Sequence, residues 1–230
     1  VPFTKRVEQV FSVYNNLKKL LVEKYGISAK NLGDEGGFAP QLDTPDEALN
    51  IIELAVVKSN LELGTDIMLA LDCAASEFYN SDTQLYEIET NMFLTTDQLI
   101  NYYIELIKKH PSLKSIEDAF DEKDYNGWNK FTNLCGDKLM IVGDDLFTTN
   151  PNMIKKGLQE NWANSLLLKV NQIGTISEAV EAAKMMQFKG LDVIVSHRSG
   201  ETNSSLISDL AVGIHAKYIK LGAPARGERV

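Results

Sequence analysis

Short apolar segments that end on a charged residue recur along this chain. The longer ones span 67–72, 114–117, 139–144, 165–169 and 191–197, and they end at Asp72, Glu117, Asp144, Lys169 and His197. A shorter segment, 218–220, ends at Lys220 in the same way. In parallel α/β proteins the carboxyl ends of the strands carry the chemistry. The pattern therefore predicts parallel strands that gather these charged groups at one edge.

Helical segments alternate with the predicted strands. Apolar residues recur at helical spacing over 7–24, and Gly26 ends that segment. Thr44 followed by Pro45 is typical of a helix start, and the helix runs to about Lys58. Five more helices are predicted, each after one of the strands. The first begins at Thr96 and ends before His110, and the others lie near 125–134, 152–160, 177–186 and 203–215. The order indicates repeated strand–helix units.

The spacing of the strand ends indicates a barrel. Successive charged ends are 45, 27, 25, 28 and 23 residues apart, whereas one strand–helix unit needs about 30 residues. We place an insertion at 80–93, with one short hairpin at 84–88, in the first gap. Six units are visible and a closed barrel of this type has eight, so we expect two strands upstream of Val1. Six strands alone would leave open edges and exposed apolar surface, and we expect such a chain to be poorly stable.

Composition excludes several classes of function. The 230 residues carry a formal net charge of −9, which argues against nucleic acid as the main partner. No apolar run has the length of a membrane span, and no signal-peptide pattern is present. Two cysteines, Cys73 and Cys135, do not make a disulfide framework, and we expect two half-buried thiols in a reducing compartment.

Three acids at successive strand ends suggest a metal site. Asp72, Glu117 and Asp144 supply carboxylate oxygens, the ligands that Mg²⁺ prefers, and three of them leave positions for water and substrate. The alternative is that these acids cap helices or pair with lysines at neighbouring strand ends. Three in consecutive units favour the metal site.

A candidate base and a candidate anion site follow the acids. Lys169 ends an apolar run and is expected near Lys220, and both conditions favour the neutral amine that a base requires. A structural ion pair between Lys169 and Asp144 is the alternative. The segment 196–201 offers a hydroxyl, an imidazole, a guanidinium and backbone N–H groups, which suit a phosphate or carboxylate. Glu35 lies on a glycine-rich loop and is a candidate general acid.

The chain resembles the enolase family. The resemblance covers nearly the whole chain and rests on seven motifs in order, namely 33–37 (GDEGG), 71–78 (LDCAASEF), 115–118 (SIED), 142–146 (VGDDL), 167–174 (LLKVNQIG), 195–202 (VSHRSGET) and 219–226 (IKLGAPAR). The resemblance implies an α/β fold of the enolase TIM-barrel type with six βα units present. It also implies that 1–230 is an incomplete C-terminal barrel domain without its N-terminal capping domain.

The resemblance further implies a reaction, the Mg²⁺-dependent dehydration of 2-phosphoglycerate to phosphoenolpyruvate in glycolysis and gluconeogenesis. Lys169 would be the base and Glu35 would assist loss of the hydroxyl. The implied binding residues fall into two groups. The metal would be held by Asp72, Glu117 and Asp144, and the substrate would also be bound by Ser196, His197, Arg198, Ser199 and Lys220.

Other implications concern the whole protein. Relatives are cytoplasmic homodimers, and no nucleic acid or membrane partner is implied. Ala119 stands where the family usually has proline, and Phe147–Thr148 replace a commoner pair, but none of these positions carries the implied chemistry. A non-catalytic binding role remains the alternative. The loop 79–91 has no lysine, which counts against binding through exposed lysines there.

Overall fold

The computed structural model describes all residues, 1–230. The chain divides into two compact units. The first comprises Val1–Leu69, Arg198–Ser204 and Leu221–Val230, and the second comprises Ala70–His197 and Ser205–Lys220. None of the helices combines the length and the apolar character that a membrane span requires.

Two helices form most of the first unit. Helix α1 (Phe3–Tyr25) ends at Gly26, whose φ of 85° suits glycine, and a short 3₁₀ turn follows at Ile27–Lys30. Helix α2 (Pro45–Lys58) begins after Thr44, whose side chain accepts a hydrogen bond from the Glu47 N–H group. Both predicted helices are confirmed. They pack around a small apolar core of Leu20, Leu21, Ala29, Ile51 and Ala55.

The amino-terminal half of α1 carries exposed apolar side chains. Val7, Val10 and Phe11 keep 45%, 47% and 52% of their surface in solvent. Their helical spacing, which predicted the helix, therefore marks a face that this chain does not cover.

A six-stranded sheet forms the framework of the second unit, in the order β1-β5-β6-β7-β8-β9. The pairs from β5 to β9 are parallel. Each of the six predicted strands is present. Their bounds are β1 (Leu69–Asp72), β5 (Leu113–Glu117), β6 (Met140–Gly143), β7 (Ser165–Leu168), β8 (Asp192–Ser196) and β9 (Tyr218–Lys220). Asp144, Lys169 and His197 follow their strands by one residue instead of ending them.

The sheet is curled. Five spacings of about 4.8 Å would separate β1 from β9 by roughly 24 Å in a flat sheet. Lys220 at the end of β9 nevertheless lies 3.0 Å from the Asp72 carboxylate at the end of β1. The first and last strands therefore converge at their carboxyl ends, as in part of a barrel. The predicted α/β fold of this type is confirmed.

The helices of the second unit follow the strands as predicted. Thr95 and Gln98 form a capping box at the start of α3, in which each side chain accepts the other residue's N–H group. The bounds are α3 (Thr96–Lys109), α4 (Tyr125–Cys135), α5 (Pro151–Glu160), α6 (Val170–Ile173), α7 (Ile176–Phe188) and α8 (Leu206–Gly213). The four-residue α6 was not predicted.

The insertion after β1 is a small antiparallel sheet. A 3₁₀ turn (Ala75–Phe78) leads into β2 (Tyr79–Asn80), β3 (Leu85–Glu89) and β4 (Met92–Leu94). The predicted single hairpin thus has a third strand. Tyr86 is fully buried, and its hydroxyl donates to the Asp124 carboxylate at 2.9 Å, so the insertion is tied to the start of α4.

Candidate active site

The carboxyl ends of the strands in the second unit bring together most of the predicted charged residues. Asp72, Glu117 and Lys220 end β1, β5 and β9, and Asp144 and Lys169 follow β6 and β7. The strands place these side chains at one edge because parallel strands share a direction. Within this set Lys220 pairs with Asp72 and Glu117, and Lys169 pairs with Asp144.

Lys220 joins two of the three predicted metal ligands. Its Nζ donates to Asp72 Oδ2 at 3.0 Å and to Glu117 Oε1 at 2.8 Å. Burial lowers the pKa of Lys220, but the negative charges of Glu117 and Asp72 outweigh burial and raise it overall. Lys220 is therefore a fixed positive charge at neutral pH.

The surroundings of Glu117 disfavour the ionised form of its side chain. Burial, followed by the nearby charge of Asp72, raises the pKa of its carboxyl to about 8, against the opposing effect of Lys220. The carboxylate form of Glu117 is therefore disfavoured where it stands. A divalent cation beside Glu117 would favour its ionised form and oppose this shift in pKa.

Asp144 pairs with Lys169. Lys169 Nζ donates to Asp144 Oδ2, and Gln172 Nε2 donates to Asp144 Oδ1 at 2.9 Å. The fully buried Thr149 completes the arrangement, because its hydroxyl donates to Gln172 Oε1 and accepts the Lys169 N–H group, both at 2.9 Å. The ion pair that was the alternative for Lys169 is thus present.

Asp118 is a member of the acidic cluster that sequence reasoning missed. Oxygens of Asp118, Asp144 and Asp145 lie within 4.8 Å of one another. Both Asp118 oxygens, however, accept backbone N–H groups, from Asp144 at 2.9 Å and from Asp145 at 3.0 Å. Burial raises the pKa of Asp118 to about 7 although these bonds lower it. Asp118 therefore supports the turn that carries Asp144.

Two further predicted residues lie at the end of β8, where Ser196 ends the strand and His197 follows it. Ser196 and His197 are buried, with 3% and 2% of their surface exposed. The Ser196 hydroxyl donates to the His197 carbonyl at 2.9 Å, and the His197 N–H group donates to the Lys220 carbonyl at 3.1 Å. The latter bond extends the pairing between β8 and β9 by one residue.

The remaining predicted residues, Glu35, Arg198 and Ser199, belong to the first unit. The glycine-rich loop that carries Glu35 closes on itself, since the Gly33 N–H group donates to the Gly37 carbonyl at 2.8 Å and the Gly36 N–H group to the Gly33 carbonyl at 3.1 Å. Arg198 donates its N–H group to Glu201 Oε2 at 3.2 Å, which bends the segment that follows β8.

A surface groove of about 800 Å³ lies elsewhere, between α5 and α7. None of the predicted site residues lines it. Its position on the outer helices separates it from the strand ends, where charged groups converge. The strand ends therefore remain the candidate site.

Comparisons with known proteins agree with the resemblance. The chain matches the family model described as "Enolase, C-terminal TIM barrel domain" over residues 2–230. Two curated relatives, each named enolase, come from Methanococcus vannielii and Thermococcus gammatolerans. They are 49% and 46% identical over 228 and 227 residues, which is 99% of this chain and 52% of each relative. The chain thus spans about half the length of the curated relatives it matches.

Proposed function

Because the chain belongs to the enolase C-terminal TIM barrel family, we propose that it carries the barrel part of a Mg²⁺-dependent hydro-lyase that converts 2-phosphoglycerate to phosphoenolpyruvate and water. The observation that carries the proposal is the pairing of both lysines with predicted metal ligands, Lys220 with Asp72 and Glu117, and Lys169 with Asp144. Each lysine lies where a substrate held at these acids would be within its reach.

Asp72, Glu117 and Asp144 are the proposed ligands of Mg²⁺. The donor set fits the ion, because all three are carboxylates and Glu117 is disfavoured as an anion until positive charge is added. Asp118 is a poorer ligand, since N–H groups already occupy both of its oxygens. The chemistry that Mg²⁺ supplies when bound is stabilisation of negative charge on the substrate.

Lys169 is the proposed base. It would accept the proton from the carbon that carries the phosphate, next to the substrate carboxylate, and this requires a neutral amine. In the structure the amine is paired with Asp144. If Asp144 binds the metal ion, its oxygens would turn away from Lys169, and the Lys169 amine would lose its ion-pair partner. The bond from the Lys169 N–H group to Thr149 fixes the backbone, so the side chain pivots from a defined point.

The remaining roles complete the reaction. Lys220 would bind the substrate carboxylate, Arg198 and Ser199 would bind the phosphate, and Ser196 and His197 would line the site. Glu35 would donate a proton to the departing 3-hydroxyl, whose C–O bond breaks as the C–H electron pair becomes the new double bond. One proton passes to Lys169, one leaves Glu35, and the products are phosphoenolpyruvate and water.

For the whole protein we expect the properties that the family resemblance implies. These are a cytoplasmic location, a homodimer and a small-molecule substrate, without a nucleic-acid or membrane partner. We also expect the whole protein to have an N-terminal capping domain that precedes the barrel. The non-catalytic binding role remains the alternative outcome.

The test is phosphoenolpyruvate formation from 2-phosphoglycerate, followed by ultraviolet absorbance with Mg²⁺ and then with EDTA. The chain is assayed beside a version extended to the full length of its relatives. We expect activity only in the extended form, abolished by EDTA and lowered about 10²- to 10⁴-fold by Lys169→Ala. Lys184→Ala, at an exposed lysine on α7, is the matched control. No turnover in the extended protein would overturn the catalytic proposal.

A further inference from the structure

Arg229 is a buried arginine that is bonded to main-chain carbonyls. Only 1% of its side chain is exposed. Its Nη1 donates to the Arg198 carbonyl at 3.0 Å, and its Nη2 donates to the carbonyls of Asp34 at 3.1 Å and Ser199 at 2.9 Å. All four residues belong to the first unit. The guanidinium therefore connects the glycine-rich loop to the segment that begins at Arg198.

A buried guanidinium is costly to place, so its partners are informative. Its planar fork holds its donors at fixed angles, and two acceptors bonded to different arms cannot move independently. Here one arm contacts Arg198 while the other contacts both Asp34 and Ser199. The side chain thus fixes the distance between two loops and does more than tether one of them.

The backbone around Glu35 is held at three consecutive carbonyls. Arg229 binds that of Asp34, the Ala223 N–H group donates to that of Glu35 at 2.9 Å, and the Tyr14 hydroxyl donates to that of Gly36 at 2.9 Å. Gly36 has a φ of 80°, and a Cβ atom there would lie 3.1 Å from the Ala223 carbonyl. Close contact with the 221–230 segment thus requires glycine at this position.

We propose that Arg229 is a positioning residue that holds the Glu35 loop and the Arg198–Ser199 segment in one fixed arrangement. The contribution of Arg229 to catalysis rests on the proposed function, in which Glu35 is the acid and Arg198 and Ser199 bind the phosphate. If those roles hold, Arg229 sets the distance between the group that protonates the leaving hydroxyl and the groups that anchor the phosphate.

Hydrogen exchange tests the connection between the two loops without requiring enzymatic activity. In Arg229→Met, amide exchange in 33–37 and in 198–204 should accelerate together, at least tenfold, while β7 keeps its protection. Arg226→Met is the matched control, because the Arg226 side chain is 40% exposed and its guanidinium lies 3.9 Å from the Glu228 carboxylate. Acceleration confined to 226–230, or to one of the two loops, would overturn the proposal. Arg229→Lys serves if Arg229→Met does not fold.

Kinetics in the full-length enzyme test the catalytic meaning. Arg229→Lys should lower kcat/KM about 10- to 100-fold through both kcat and KM, since displacements near 1 Å can cost 10²-fold. A purely structural role would lower the melting temperature and leave KM unchanged at temperatures where the variant is folded, and that result would overturn the proposal. If the unmodified enzyme shows no turnover, the proposed function fails, and hydrogen exchange alone decides whether Arg229 connects the loops.

Discussion

Lys220 offers the sharpest test of the strand-end arrangement. Lys220→Met removes the ammonium group that Asp72 and Glu117 share and keeps an unbranched side chain of similar length. Because the pKa of Lys220 is raised in the folded protein, its stabilising contribution is fully present below the unfolded lysine pKa of about 10.4 and is lost as pH rises above that range. At pH 8.5 the contribution is therefore intact and measurable.

The expected magnitude follows from exposure. Breaking a fully buried ion pair costs about 3–5 kcal/mol. Here 27% of the Lys220 side chain and 46% of the Asp72 side chain are exposed, so solvent screens the contact between them. Glu117 is only 10% exposed, and protonation near its pKa of about 8 relieves part of the loss. We expect a destabilisation of about 1–3 kcal/mol at pH 8.5, scaled from these values.

Urea unfolding in EDTA, followed by the same titration in excess Mg²⁺, measures the effect. A ligand at 100 times its Kd adds about 2.7 kcal/mol, and this gain should be larger for Lys220→Met, because the ammonium no longer competes for the acids. Lys217→Met is the matched control. Lys217 precedes the same strand, is 62% exposed and pairs with Asp192 at 3.1 Å, so we expect a much smaller change in stability than for Lys220→Met and no dependence on Mg²⁺.

Two results would refute this reasoning. One is a Lys220→Met protein as stable as the parent in EDTA, which would mean that the acids do not depend on Lys220. The other is a smaller gain from Mg²⁺ in the variant than in the parent, which would separate Asp72 and Glu117 from the metal site. Activity should stay low even where Mg²⁺ restores stability, because the proposed contact with the substrate carboxylate is lost.

Three further predictions concern single side chains. Gly143→Ala would place a methyl group 2.7 Å from the Phe147 ring and should cost about 1–3 kcal/mol, and an unchanged urea midpoint would contradict this. Burial raises the pKa of Cys73 to about 12, so its alkylation at pH 8 should be about 10³-fold slower than that of an ordinary thiol and should rise with pH without a plateau near pH 9. Asn164→Ala removes the acceptor of the Ile141 N–H group at 2.8 Å and should cost about 1–3 kcal/mol in urea unfolding, whereas full stability would show that water replaces it.

Local patterns were enough to locate the elements. The Thr95–Gln98 capping box and the sequence Thr44-Pro45 identify helix starts because their side chains and rings satisfy the first turn locally. The charged residue after each apolar run locates the carboxyl end of each strand to within one residue. Such features depend on neighbours in sequence, so they can be predicted from it.

Contacts between distant segments could not be predicted in this way. The bonds from Lys220 to Asp72 and Glu117 depend on how far the sheet curls, which no local pattern specifies. The support of Asp144 by Asp118 depends on a turn in which Asp118 has a φ of 43°, and the adjacent acid pairs 117–118 and 144–145 were the available signal. The bonds that Arg229 makes to Arg198, Asp34 and Ser199 gave no signal, because their acceptors are backbone carbonyls and any sequence provides those.

The contact between Lys220 and Asp72 also has a consequence for how the chain folds. The two residues are 148 positions apart, so the contact requires a long loop to close, and contacts of that kind form slowly. During synthesis Asp72 and Glu117 emerge well before the lysine that neutralises them. The proposed metal-binding edge should therefore be among the last parts of the chain to assemble, and a nascent chain ending before β9 should carry its acids without their counter-charge.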